Sequence, residues 1–94
     1  GAGTVTPLTI EDPTAGPPRG LKGRVVIVNE RWNFVVINVG RNQGLRAGVE
    51  MMVHRDGQLV GRVKIREAEE IVSVADVLGS WRLGDIAEGD QVLY

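Results

Sequence analysis

Apolar and polar positions alternate in short runs along the chain, and the clearest run is Phe34 to Gly48, FVVINVGRNQGLRAG. Five of its first six residues are apolar and mostly β-branched or aromatic. A Gly-Arg-Asn-Gln-Gly turn follows, and Leu45 precedes a second glycine. This pattern predicts a strand over Phe34 to Val39 with apolar residues on both faces, hence a central position. It also predicts a loop over Arg41 to Gly48 in which Gly44 and Gly48 take positive φ, Leu45 plugs one end of the core, and Leu45 to Ala47 has room for one helical turn.

On either side the same texture repeats. Arg24 to Val28 is a β-branched run bounded by Gly23 and Asn29, hence a strand. Glu50 to Arg55 alternates, with Met51 and Val53 on one face. Asp56-Gly57 then supplies a type I′ hairpin signal. Gln58 to Glu67 returns with Val63 and Ile65 inward and a bulge at Gly61. Ile71 to Leu78 is a fifth strand whose register stays open, because both of its faces carry apolar side chains. The loop Gly79 to Asp90 holds Trp81, Leu83 and Ile86, which should fold it back onto the body before a last strand, Gln91 to Tyr94.

Two stretches share a spacing: Leu45, Gly48 and Met51 recur as Ile86, Gly89 and Val92. We read this as one turn chemistry used twice, and not as an internal repeat. Five or six short antiparallel strands with tight turns and no useful helical period predict a small all-β barrel or roll over residues 21–94. An open five-stranded sheet paired across a dimer is the alternative.

The first twenty residues differ in kind. All four prolines lie there, at positions 7, 13, 17 and 18, and the composition is that of an extended linker. Thr4 to Ile10 nevertheless has β character around one proline. Val5, Leu8 and Ile10 therefore also suit a strand added to an exposed edge of this or a neighbouring molecule.

Composition narrows the function classes. Eleven basic against twelve acidic residues give a net charge of -1, so no field of one sign marks a nucleic-acid partner. The chain has no cysteine, hence no disulfide framework or thiolate chemistry. No apolar run approaches the ~20 residues of a membrane span. His54 and Asp56 would share a strand face, but Asp56 belongs to the turn and no serine sits in a recognisable elbow. Asp85, Glu88 and Asp90 lack the spacing of a calcium loop and read as turn formers. Gly40 to Gly44 lacks the lysine of a phosphate loop. No enzyme, cofactor or metal reading follows.

What remains is surface. Arg62, Lys64 and Arg66 make a basic stripe on one strand, with Arg55 across the hairpin. This suits phosphate contact, although the acidic turn Glu67 to Glu70 should neutralise it. Trp32 and Trp81 sit in predicted loops, where core packing is the ordinary role and a glycan or peptide platform the other.

Five patterns carry a resemblance: Gly23-x-Val-x-x-Val-Asn, Trp32-Asn-Phe-Val-Val-Ile-Asn-Val-Gly, Gly44-Leu-x-x-Gly, Val53-x-Arg-Asp-Gly-x-Leu-Val-Gly-x-Val-x-Ile, and Ser73-Val-Ala-Asp. They resemble a domain at the C-terminus of uncharacterised bacterial envelope proteins with a coiled-coil segment. The pattern is also similar to the SH3-like C-terminal domain of flagellar assembly protein T. The resemblance implies an SH3-like, noncatalytic module held outside the cytoplasm, periplasmic in bacteria, with a protein partner or self-association. It further implies a signal or anchor upstream, with residues 1–20 as the tether.

Overall fold

The computed structural model describes residues 17–79 and 84–94. Within them the chain forms β1 (Lys22–Asn29), β2 (Phe34–Ile37), a 3-10 turn (Arg41–Gln43), β3 (Glu50–Arg55), β4 (Gln58–Ala68), β5 (Ser73–Val77) and β6 (Gln91–Leu93). The strands close into an antiparallel barrel in the order β1-β2-β5-β4-β3-β6. Closure gives every described strand a partner on both sides, which removes the exposed edges that a sheet of this size would otherwise present.

Local chemistry sets most of the boundaries. Asp56 and Gly57 both have positive φ, at 53° and 78°, as a type I′ turn requires, and Arg55 pairs directly with Gln58. The bulge expected at Gly61 lies there: Val53 pairs with Gly61 and His54 with Leu59, leaving Val60 as the extra residue. β2 stops at Ile37, short of Val39: the Asn38 N–H still donates to the Arg24 carbonyl at 3.1 Å, but the Arg24 N–H donates to the Asn38 Oδ1 at 2.7 Å in place of a backbone carbonyl. The helical turn forms at Arg41–Gln43, not at Leu45 to Ala47. There the Gln43 Oε1 accepts the Gly40 N–H and the left-handed Gly44 donates back to the Arg41 carbonyl.

Inside the barrel, Val35, Ile37, Met51, Val53, Val63 and Val92 are all fully buried. The register of β5 is decided by packing across β2. Ile37 faces Ser73 and Val35 faces Ala75, so a large side chain meets a small one at each level. Ser73 and Ala75 therefore point inward and Val74 outward.

Leu45 and Ile86 close the two ends, at 1% and 5% exposure. Their loops agree beyond the sequence spacing. Gly48 donates to the Ile65 carbonyl at 2.8 Å, and Gly89 to the Val25 carbonyl at 2.8 Å. Ile65 donates to the Val49 carbonyl at 2.7 Å, and Val25 to the Asp90 carbonyl at 2.8 Å. Gly48 and Gly89 share a left-handed φ, 95° and 93°. One turn chemistry is used twice, once at each end of the barrel; contrary to the sequence reading, the match does not stop at the turns, because the ladders that flank them correspond as well.

Candidate interaction surface

The outward side of β1, β2 and β5 carries a lateral apolar row. Ile27 pairs with Val36, and Val36 with Val74. Val26, the extra residue of a bulge between Val25 and Ile27, adds to the row, and Ile27 is 51% exposed. Beside it, Phe34 lies under the Arg66 guanidinium, 5.4 Å from ring centre to Cζ.

Trp32 stands at the end of this face, in the connection from β1 to β2, and at 68% it is the most exposed large apolar side chain among the described residues. It does not pack in the core. Its backbone is fixed: the Trp32 N–H donates to the Asn29 Oδ1 at 2.9 Å, and the Val77 N–H donates to the Asn33 carbonyl at 3.0 Å. The Asn33 side chain adds a weaker bond to the Val77 carbonyl, at 3.4 Å, and Asn33 takes a left-handed φ of 59°. Arg31 lies against the indole at 5.7 Å. The exposed ring is thus held on a pinned turn. Trp81, and the tail residues Val5, Leu8 and Ile10, lie outside the described residues.

The basic stripe is interleaved with acid, and from a different source than the turn at Glu67 to Glu70. Arg66 pairs with Asp76 of β5, and Arg62 approaches Glu50 of β3 at 3.6 Å. Lys64 sits between them in register, opposite Glu50 on one side and Asp76 on the other. The hydrogen bond to Asp76 holds the Arg66 guanidinium above its ordinary pKa. Arg55 turns away from the stripe altogether, toward β6.

There Arg55 meets Asp90, whose side chain is only 3% exposed. Nε reaches Oδ1 at 2.7 Å and Nη2 reaches Oδ2 at 2.9 Å, while Nη2 also donates to the Asp85 carbonyl at 2.8 Å. Asp90 Oδ2 accepts a further bond from the Ala87 N–H at 2.8 Å. The Arg55 hydrogen bond is the main cause that lowers the Asp90 pKa against the opposing effect of burial, and the same bond raises that of Arg55. Asp90 therefore works as a clasp for the loop 85–90, accepting three hydrogen bonds.

Open grooves of about 420 and 430 Å³ lie on either side of the β3–β4 turn, sharing Arg55 and Asp56 as their common wall. His54 lines the second, its Nε2 buried without a hydrogen-bond partner, and among the described residues no hydrogen bond or ion pair joins it to Asp56. Among the described residues no group of three or more His, Asp or Glu is placed to hold a metal ion, and no helix is long and apolar enough to cross a membrane.

No family model, no curated protein and no solved structure matches the chain.

Proposed function

We propose that this chain is a noncatalytic β-barrel module that acts through protein contact, as the structural or interaction domain of a bacterial envelope protein outside the cytoplasm. The observation that carries the reading is the placement of Trp32 and Ile27. A large indole and a β-branched side chain stay in solvent on a face whose backbone is fixed by hydrogen bonds, while a sealed core lies directly beneath. Contact surfaces concentrate their energy in such rigid aromatic anchors, with Trp and Arg the commonest. The extracytoplasmic setting is supported by the resemblance of the strand and turn patterns to envelope domains.

Site-specific photocrosslinking in cells tests both halves of this reading. A photoreactive residue at position 27 or 32 should give discrete protein adducts in the envelope fraction, and one at exposed Glu88 should not. Adducts of equal yield at all three positions, or adducts found only in the cytoplasm, would sink it.

A further inference from the structure

The matched loops at the two ends of the barrel are part of a larger correspondence. β1 and β4 are both bulged, between Val25 and Ile27 and between Ile65 and Glu67. After the bulge Ile27 pairs with Val36 and Val28 with Val35, as Glu67 pairs with Val74 and Ala68 with Ser73. In β3 and β4, Glu50 pairs with Lys64, Met51 with Val63 and Met52 with Arg62. In β6 and β1, Gln91 pairs with Arg24, Val92 with Gly23 and Leu93 with Lys22. Residues 22–53 thus map onto the described residues of 62–94, with β1, β2 and β3 taking the places of β4, β5 and β6.

The mapping has a twofold axis. Val36 and Val74 are equivalent residues, and they pair with each other. So do Met52 and Leu93 on the opposite wall. Only a twofold axis perpendicular to the barrel, entering at Val36/Val74 and leaving at Met52/Leu93, makes both pairs self-related.

This symmetry has an energetic consequence. Within the first half only β1 and β2 pair. β3 finds its two neighbours, β4 and β6, in the second half. Within the second half only β4 and β5 pair, and β6 finds its neighbours, β1 and β3, in the first. Neither half can satisfy its own backbone or bury its own plug, since Gly48 bonds to β4 and Gly89 to β1. Each half is a template for the other, and the two-residue turn Asp56-Gly57 is the link between them at the β3–β4 ladder.

We infer that the partner which the half-to-half surface fits is a second copy of this chain, engaged by exchange of halves about the Asp56-Gly57 turn. With the turn formed, the halves meet within one chain, because a two-residue connection keeps their effective concentration high. With the turn opened, β3 and β4 run on as one strand, and every ladder between the halves, β2–β5, β3–β4, β3–β6 and β1–β6, forms again between two chains, as domain swapping requires. This inference goes beyond the contact reading and is independent of Trp32 and Ile27.

Deleting residues 56 and 57 from the full chain removes the turn. The expected product has twice the wild-type mass by light scattering and the same strand signal by circular dichroism, and a folded monomer would overturn the inference. If the deletion fails to fold, a protease site inserted between Asp56 and Gly57 and cut after folding decides the matter. Halves of cut protein, mixed as isotopically light and heavy preparations, should recombine into barrels of intermediate mass in native mass spectrometry. Separation of the halves, or persistence of only the two parental masses after refolding, would refute it.

Discussion

Arg55 at the end of β3 and Asp90 just before β6 share two hydrogen bonds, 2.7 and 2.9 Å long, across 35 residues of sequence. The carboxylate is buried and also holds the Ala87 N–H, so its charge is part of the loop's structure. Because its folded pKa lies below its unfolded value, the unfolded chain takes up the proton more readily. The stabilisation is complete above the unfolded value near 3.8 and is lost as pH falls through the lower, folded value. Thermal unfolding followed from pH 7 to pH 2 should show a midpoint that drops below about pH 4. Asp90→Asn should flatten that drop and cost about 1–3 kcal/mol at neutral pH. An unchanged acid limb in the variant would exclude the clasp.

Ser73 is fully buried and donates its Oγ–H to the Val39 carbonyl at 2.8 Å, beyond the end of the β2 ladder. Val39 is itself 6% exposed, so water cannot replace the lost donor easily. Ser73→Ala should therefore cost about 1–3 kcal/mol although it removes a single oxygen. Urea unfolding measures it, and a cost below about 0.5 kcal/mol would mean that the carbonyl has another donor.

Two glycines separate space from conformation. Gly40 has extended dihedrals, φ -151°, that any residue adopts, but a Cβ there would stand 2.2 Å from the Glu69 carbonyl oxygen. That oxygen is backbone, and it accepts the Arg41 N–H at 2.6 Å. Gly57 has nothing near its would-be Cβ and a φ of 78°. Gly57→Ala should cost about 1–2 kcal/mol from left-handed strain. Gly40→Ala should cost more than that, since the loop must leave the turn at Glu69 and Glu70. Denaturant midpoints in the reverse order would show that the 40–44 loop yields freely.

The sequence told most where the information was local. Asp56-Gly57 and the alternation of Met51 and Val53 carry their own conformational reasons, so the β3–β4 hairpin and its inward face were readable. The register of β5 was not, because Val72 and Val74 are as apolar as Ala75, and only the fit of Ser73 and Ala75 against Ile37 and Val35 decides it. That acid offsets the basic stripe was readable, but not which acid. Arg66 and Lys64 look like one field until Asp76 and Glu50 arrive from neighbouring strands. The duplication was hidden most deeply. Outside Gly48/Gly89, Val36/Val74 and the similar plugs Leu45/Ile86, most equivalent positions hold different side chains, such as Ile37 and Ala75, where large on one side of the axis is offset by small on the other. Backbone hydrogen bonds keep the symmetry that the side chains have lost.

Leu45 and Ile86 are equivalent plugs at opposite ends, so their replacement tests whether the barrel unfolds as one unit. Each is nearly fully buried, and truncation to Ala leaves a cavity under a loop that its glycine anchors to a neighbouring strand. Either Leu45→Ala or Ile86→Ala should cost about 2–5 kcal/mol. The two plugs sit at opposite ends of the barrel, so the double variant should lose the sum to within about 0.5 kcal/mol. Against a total stability of roughly 5–10 kcal/mol for a domain of this size, that leaves little folded protein at 37 °C. Equal midpoint shifts by tryptophan fluorescence and by circular dichroism in each single variant would mark one cooperative barrel. A variant that releases its own end while the other retains native signal would instead divide the molecule into two separately melting halves.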